Sequence, residues 1–180
     1  ILSSLLNLKS LDLSNNELES IDFISHIGEH HQSATCSSNQ QRQQQQQNAT
    51  TTTNSNIYHN HLESIKLNKN RIRSLDRNQF SKSNQVISID LSGNQLKEFY
   101  IESVNDLNQL VELNLSDNNL KRIKYVDAES MRRVIRSLKR LKLVNLKSNR
   151  MMRLVNSRST LKNVYILQYL KYRTKCHILT

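Results

Sequence analysis

The chain is 180 residues long and contains no proline, no tryptophan, two glycines and two cysteines. Two glycines cannot furnish a Gly-rich phosphate cradle, and no Ser, His and Asp set stands in a recognisable catalytic spacing. Cys36 and Cys176 are too few for a disulfide framework and lack metal-ligand spacing. No run of 18 apolar residues is present, and the opening "ILSSLLNL" has neither an initiator Met nor a charged region ahead of an apolar one. The chain is therefore read as a fragment. Acidic groups are scarce at one end only. Residues 1–120 hold 9 basic against 13 acidic groups, a net of −4, whereas residues 121–180 hold 17 against 2, a net of +15.

What is abundant is leucine at one particular spacing. In "LVELNLSDNNLKRI" apolar residues stand at Leu110, Leu113, Leu115, Leu120 and Ile123, with Asn118 between. A helical period fits this only in part, and a strand period only across Leu113 and Leu115. The same spacing returns at Val86, Ile89, Leu91, Asn94, Leu96, Phe99. Further copies run Leu8, Leu11, Leu13, Asn16, Leu18, Ile21; Leu62, Ile65, Leu67, Asn70, Ile72, Leu75; and Leu141, Val144, Leu146, Asn149, Met151, Leu154. Five copies make an internal repeat. The LxL pair sends two side chains inward from a short strand and the intervening residue outward, so that stacked copies share a core. Asn16, Asn70, Asn94, Asn118 and Asn149 fall where the chain leaves each strand. An amide there can both donate to and accept from backbone groups that water cannot reach.

The pattern LxxLxLxxNxL resembles the leucine-rich repeat. The resemblance implies an α/β repeat fold, a curved solenoid with a parallel sheet on its concave side and irregular or short helical segments on its convex side. Its 24-residue unit, from Asn70 to Asn94 to Asn118, is similar to the repeat type of cell-surface receptors of the Toll-like or chaoptin-like kind. Phe80 and Val104 stand where that type keeps a buried convex residue.

Departures from 24 mark insertions. Asn16 and Asn70 are 54 apart, and the surplus, residues 29–56, is rich in Gln, Thr, Ser and Asn. It cannot bury enough apolar area to offset the cost of ordering its backbone, and is expected to be a disordered loop. His26, His30, His31, His59 and His61 surround it, but without thiols or carboxylates at fixed spacing no metal is assigned. Asn118 and Asn149 are 31 apart. The surplus there, about 126–141, places Met131, Val134, Ile135 and Leu138 at helical spacing behind a capping Asp127. Arg132, Arg133, Arg136, Lys139 and Arg140 fall on the other side of that helix. Repeats are thus expected over 1–28 and 57–168. Leu161, Val164 and Ile166 read as the first half of a degenerate repeat with Tyr169 in the asparagine place, and 169–180 as a degenerate end.

No cofactor, small-molecule substrate or catalytic residue is assigned, and oligomeric state is not legible. The expected function is non-enzymatic protein binding on the concave face through Asp12, Lys66, Asp90, Glu112, Asn114, Asn145 and Lys147, in an extracellular or cell-surface receptor or adhesion protein. A cytoplasmic scaffold of the same fold is the competing reading, favoured by the scarcity of cysteine. A third reading, from another class, is binding of a polyanion such as heparan sulfate by Arg132, Arg133, Arg136, Lys139 and Arg140. The sequons at Asn48 and Asn114 are expected by chance in a chain so rich in Asn, Ser and Thr, and decide nothing about compartment.

Overall fold

The computed structural model describes residues 7–26, 61–81, 83–151 and 158–180. The Gln/Thr-rich insertion, Cys36, His30, His31, His59 and Leu154 lie outside the described residues. Within them, six three-residue strands form one parallel sheet: β1 Ser10–Asp12, β2 Ser64–Lys66, β3 Ser88–Asp90, β5 Glu112–Asn114, β7 Leu143–Asn145 and β8 His177–Leu179. Each strand is centred on an inward apolar residue, and the register pairs Leu11, Ile65, Ile89, Leu113, Val144 and Ile178 in turn. The core behind the sheet is a column of such residues, with Leu62, Ile65, Leu67, Ile72, Leu91, Leu96, Leu107, Leu110 and Leu120 fully or almost fully buried. Phe80 and Val104 close it from the opposite side and are equally buried. These features make the chain an α/β repeat solenoid.

The ladder asparagines tie the coils together. Asn94 donates through Nδ2 to the carbonyls of Leu91 (3.0 Å) in its own coil and Leu67 (2.9 Å) in the preceding one. Its Oδ1 accepts from the N–H of Ile72 at 3.0 Å. Asn70, Asn118 and Asn149 repeat the arrangement, accepting from Leu18, Leu96 and Leu120. Asn70, Asn94 and Asn118 are buried, whereas Asn149 is half-buried and Asn16 is exposed. The residue before each has a left-handed backbone: Asn15, Lys69, Gly93, Asp117 and Ser148, with φ between 54° and 65°. Glycine meets that demand without strain at one coil only. At the others an L-residue is held there by the bonds on either side.

On the opposite side lies a second, two-stranded parallel sheet that the repeat pattern does not announce, β4 Glu98–Tyr100 with β6 Arg122–Lys124. Its inward residues are Phe99 and Ile123, both buried. After three intervening residues, 125–127, the chain enters helix α1, Ala128–Ser137. Asp127 caps it, Oδ1 accepting from the N–H groups of Glu129 and Ser130 at 2.9 and 2.8 Å.

The last coil differs from the sequence expectation. Leu161, Val164, Ile166 and Tyr169 do not form a degenerate strand; they lie in helix α2, Arg158–Thr174. The coil's strand is β8, so the sheet continues past residue 168. The physical reason is that Ile166 and Leu170, four residues apart, share one helix face and are both buried. Lys175 ends α2 in the left-handed conformation, its N–H donating to the Lys171 carbonyl. Cys176 follows as a buried free thiol. At 17 residues, α2 is also longer than the short segments expected on the outer side.

Candidate functional site

Parallel pairing in register turns the outward residues of the six-stranded sheet into columns. One column runs Ser10, Ser64, Ser88, Glu112, Leu143, His177, and the next runs Asp12, Lys66, Asp90, Asn114, Asn145, Leu179. Adjacent members lie one strand spacing apart, about 4.8 Å. Asp12, Lys66, Glu112 and Lys147 are exposed, and Asp90, Asn114 and Asn145 half-buried. Lys66 pairs with Asp12 at 3.5 Å, and Ser88 Oγ donates to Ser64 Oγ at 3.2 Å. Asp12, Lys66, Asp90, Glu112, Asn114 and Asn145 stand in these columns, and Lys147 lies two residues past the end of β7.

Four of them carry a second task that the sequence did not reveal. Asp12, Asp90, Asn114 and Asn145 each accept, through Oδ1, the N–H of the residue two further on: Ser14, Ser92, Ser116 and Lys147. Asp12 and Asp90 also accept from the Ser14 and Ser92 hydroxyls. This local bond turns the chain off the strand. The hydroxyl and N–H of Ser14, with Lys66 nearby, hold the Asp12 carboxyl below its ordinary range. The signal was available in the recurrence of Asp or Asn one residue after the inward strand position and two before the next outward residue. Lys66, Glu112 and Lys147 have side chains less committed to the backbone.

Of the other predicted set, Arg132, Arg133 and Arg136 lie on α1, whereas Lys139 and Arg140, expected on the same helix, follow its end at Ser137. Met131, Val134 and Ile135 are buried, Arg132 is half-buried, and Arg133, Arg136, Lys139 and Arg140 are exposed. On the second sheet Glu98 pairs with both Arg122 and Lys124. The Arg77 guanidinium lies 4.7 Å from the Tyr100 ring centroid. Hydrogen bonding to Arg77 and Lys124 lowers the Tyr100 phenol from its ordinary value.

Against α2 there is an apolar cavity of about 20 Å³ lined by residues such as Phe99, Ile123, Leu146 and Ile166. It offers no acid, base or nucleophile. Among the described residues no group of three His, Cys, Asp or Glu could hold a metal ion, and no helix is long and apolar enough to cross a membrane.

Comparison with known proteins bears on the repeat directly. A family model described as leucine rich repeat matches residues 60–120, and a second of the same description matches residues 7–27. Residues 7–27 and 60–120 are leucine-rich repeats. Among solved structures the chain is similar to a leucine-rich repeat protein of Leptospira interrogans, with a TM-score of 0.50 and 23% identity over 68% of this chain and 26% of that one. It is also similar to a chain in the Toll–Spatzle complex of Drosophila, with a TM-score of 0.48 and 18% identity over 83% of this chain and 15% of that one. The chain thus spans about a quarter or less of the length of these neighbours. No curated protein matches it. Leucine-rich repeats generally mediate protein–protein interaction and are typically non-enzymatic.

Proposed function

We propose that this chain is the protein-binding part of a cell-surface receptor or adhesion protein, and that its ligand lies across the open face of the six-stranded sheet. One observation carries the reading: six strands in parallel register present a column-ordered outward surface that is polar except for Leu143 and Leu179, while the central apolar residue of each strand faces the core. Because Asp12, Asp90, Asn114 and Asn145 are tied to the backbone, recognition falls first to Lys66, Glu112 and Lys147. The face has no Trp, Tyr or Arg in these columns to anchor a ligand. It suits a partner held by many polar contacts over a wide area, with charge complementarity setting its choice.

The test is a photo-crosslinking residue placed at Glu112, or at Lys97 as the control, in the parent protein in its own cells. The expected result is a discrete crosslinked protein from position 112 only, lost when Lys66→Glu and Lys147→Glu are added, on a parent accessible to cell-surface biotinylation. Equal crosslinking from Lys97 would sink the choice of face. A parent that resists surface biotinylation in intact cells would sink the receptor reading in favour of the intracellular scaffold.

A further inference from the structure

We infer that helix α1 forms, with the residues just beyond its end, a binding site for a sulfated polysaccharide chain, separate from the open face of the sheet. The helix spans one side only for packing: Met131, Val134 and Ile135 are buried. At 100° per residue, Arg132, Arg136 and Arg133 occupy an arc of about 100° on the opposite side, and Lys139 and Arg140, both exposed, follow just beyond the helix end. Cations are therefore concentrated where the helix meets solvent.

Carboxylates to neutralise them are few, and those present are already shared. Residues 121–180 contain only Asp127 and Glu129 as acids. Asp127 spends its oxygens on the helix cap, accepting from Glu129, from the Ser130 N–H and from the Ser130 hydroxyl. Glu129 is divided between Arg132 and Arg136, at 3.8 and 3.7 Å. Nearby on the second sheet, Glu98 is likewise divided between Arg122 and Lys124. Among the described residues Lys139 and Arg140 have no carboxylate partner. The surplus positive charge can be met by solvent ions or by an anionic polymer that releases them.

Two observations select the kind of polymer. An anionic membrane would be met by an amphipathic helix inserting its apolar side, but that side of α1 is already packed in the core. Single-stranded nucleic acid gains much of its affinity by stacking bases on aromatic rings. The stretch 128–140 contains no aromatic residue, Tyr125 packs against the core, and the Tyr100 ring is covered by Arg77. A sulfated polysaccharide needs only spaced point charges reached by guanidinium and ammonium groups.

The test is retention of the full 180-residue chain on immobilised heparin, read as the eluting salt concentration. The parent should bind, and its affinity should fall by about a hundredfold or more between 50 and 200 mM salt if five or six ionic contacts form. Arg132→Glu, Arg133→Glu and Arg136→Glu together should abolish retention. Lys9→Glu, Lys69→Glu and Lys97→Glu, which remove the same charge elsewhere, should leave most of it. The neutral set Arg132→Gln, Arg133→Gln and Arg136→Gln guards against misfolding and should elute between parent and reversal. Equal loss from the helix and control sets would reduce the effect to net charge and overturn the site. Unchanged elution of the helix variant would overturn it as well. Competition by a single-stranded oligonucleotide as effective as heparin at equal charge would overturn the assignment to a sulfated polysaccharide.

Discussion

The coils between residues 61 and 124 and those beyond residue 124 obey one template at the sheet and different ones outside it. In the first region successive strands are 24 residues apart, as Ile65, Ile89 and Leu113 show. In the second, Leu113, Val144 and Ile178 are 31 and 34 apart, yet they pair in the same register. What changes is the return path: a 3-10 turn at Ile101–Val104 in the regular coil, α1 and then α2 in the later ones. The lesson is that the strand and the asparagine behind it define the coil, and the outer segment has only to bring an apolar surface back over the core. Phe80 and Val104 supply that surface in the regular coils. Met131, Val134 and Ile135 from α1, and Ile166 and Leu170 from α2, supply it later.

If that is right, the largest damage in the regular region should come from emptying the outer side of the core. Phe80→Ala should cost about 3 to 5 kcal/mol in denaturant unfolding, because a fully buried ring leaves a cavity that rigid neighbouring coils cannot fill. Val104→Ala, in the same place one coil on, should cost clearly less. Equal costs would mean that the outer side is not where these coils are closed.

A smaller effect should separate the ladder positions by burial. Asn94→Ala leaves the Ile72 N–H without its partner in a buried setting, while the Leu67 and Leu91 carbonyls keep Asn70 and Asn118 as donors, at a cost of roughly 1 to 3 kcal/mol. Asn149→Ala removes equivalent bonds from a half-buried site where water can replace them, and should cost less. Asn119, next to the ladder, is the neutral control.

The smallest effect belongs to α1. The Ser130 and Glu129 bonds hold the Asp127 carboxyl below its ordinary range. A depressed carboxyl contributes stability that is present above its unfolded value, near 3.9, and is lost as pH falls through the lower folded value. Helix content measured by circular dichroism should therefore decline below about pH 4. Asp127→Asn, which caps without titrating, should flatten that decline. A variant as acid-sensitive as the parent would remove Asp127 as the cause.

Most of the six-stranded sheet was legible in the sequence, because its strands rest on an LxL pair followed by Asn, and both are chemically obligatory there. Strand β8 was not legible. Its Ile178 is followed by Thr180 in place of the second leucine, and the apolar spacing of Leu161, Val164 and Ile166 suited a strand start as well as a helix. The second sheet was hidden because Phe99 and Ile123 had already been accounted for as the last apolar residue of each repeat. On the open face, the sequence placed Asp12, Asp90, Asn114 and Asn145 outward. Side-chain geometry was needed to show that each also holds the backbone of its own coil.

The central claim, that each ladder asparagine secures the coil before it, is tested most directly by amide hydrogen exchange in Asn94→Ala. The Ile72 N–H, which donates to Asn94, should lose protection, while the Leu96 and Leu120 N–H groups, held by Asn118 and Asn149, keep theirs. An Ile72 amide as protected in Asn94→Ala as in the parent, or one exposed to the same extent by Asn119→Ala, would contradict the account.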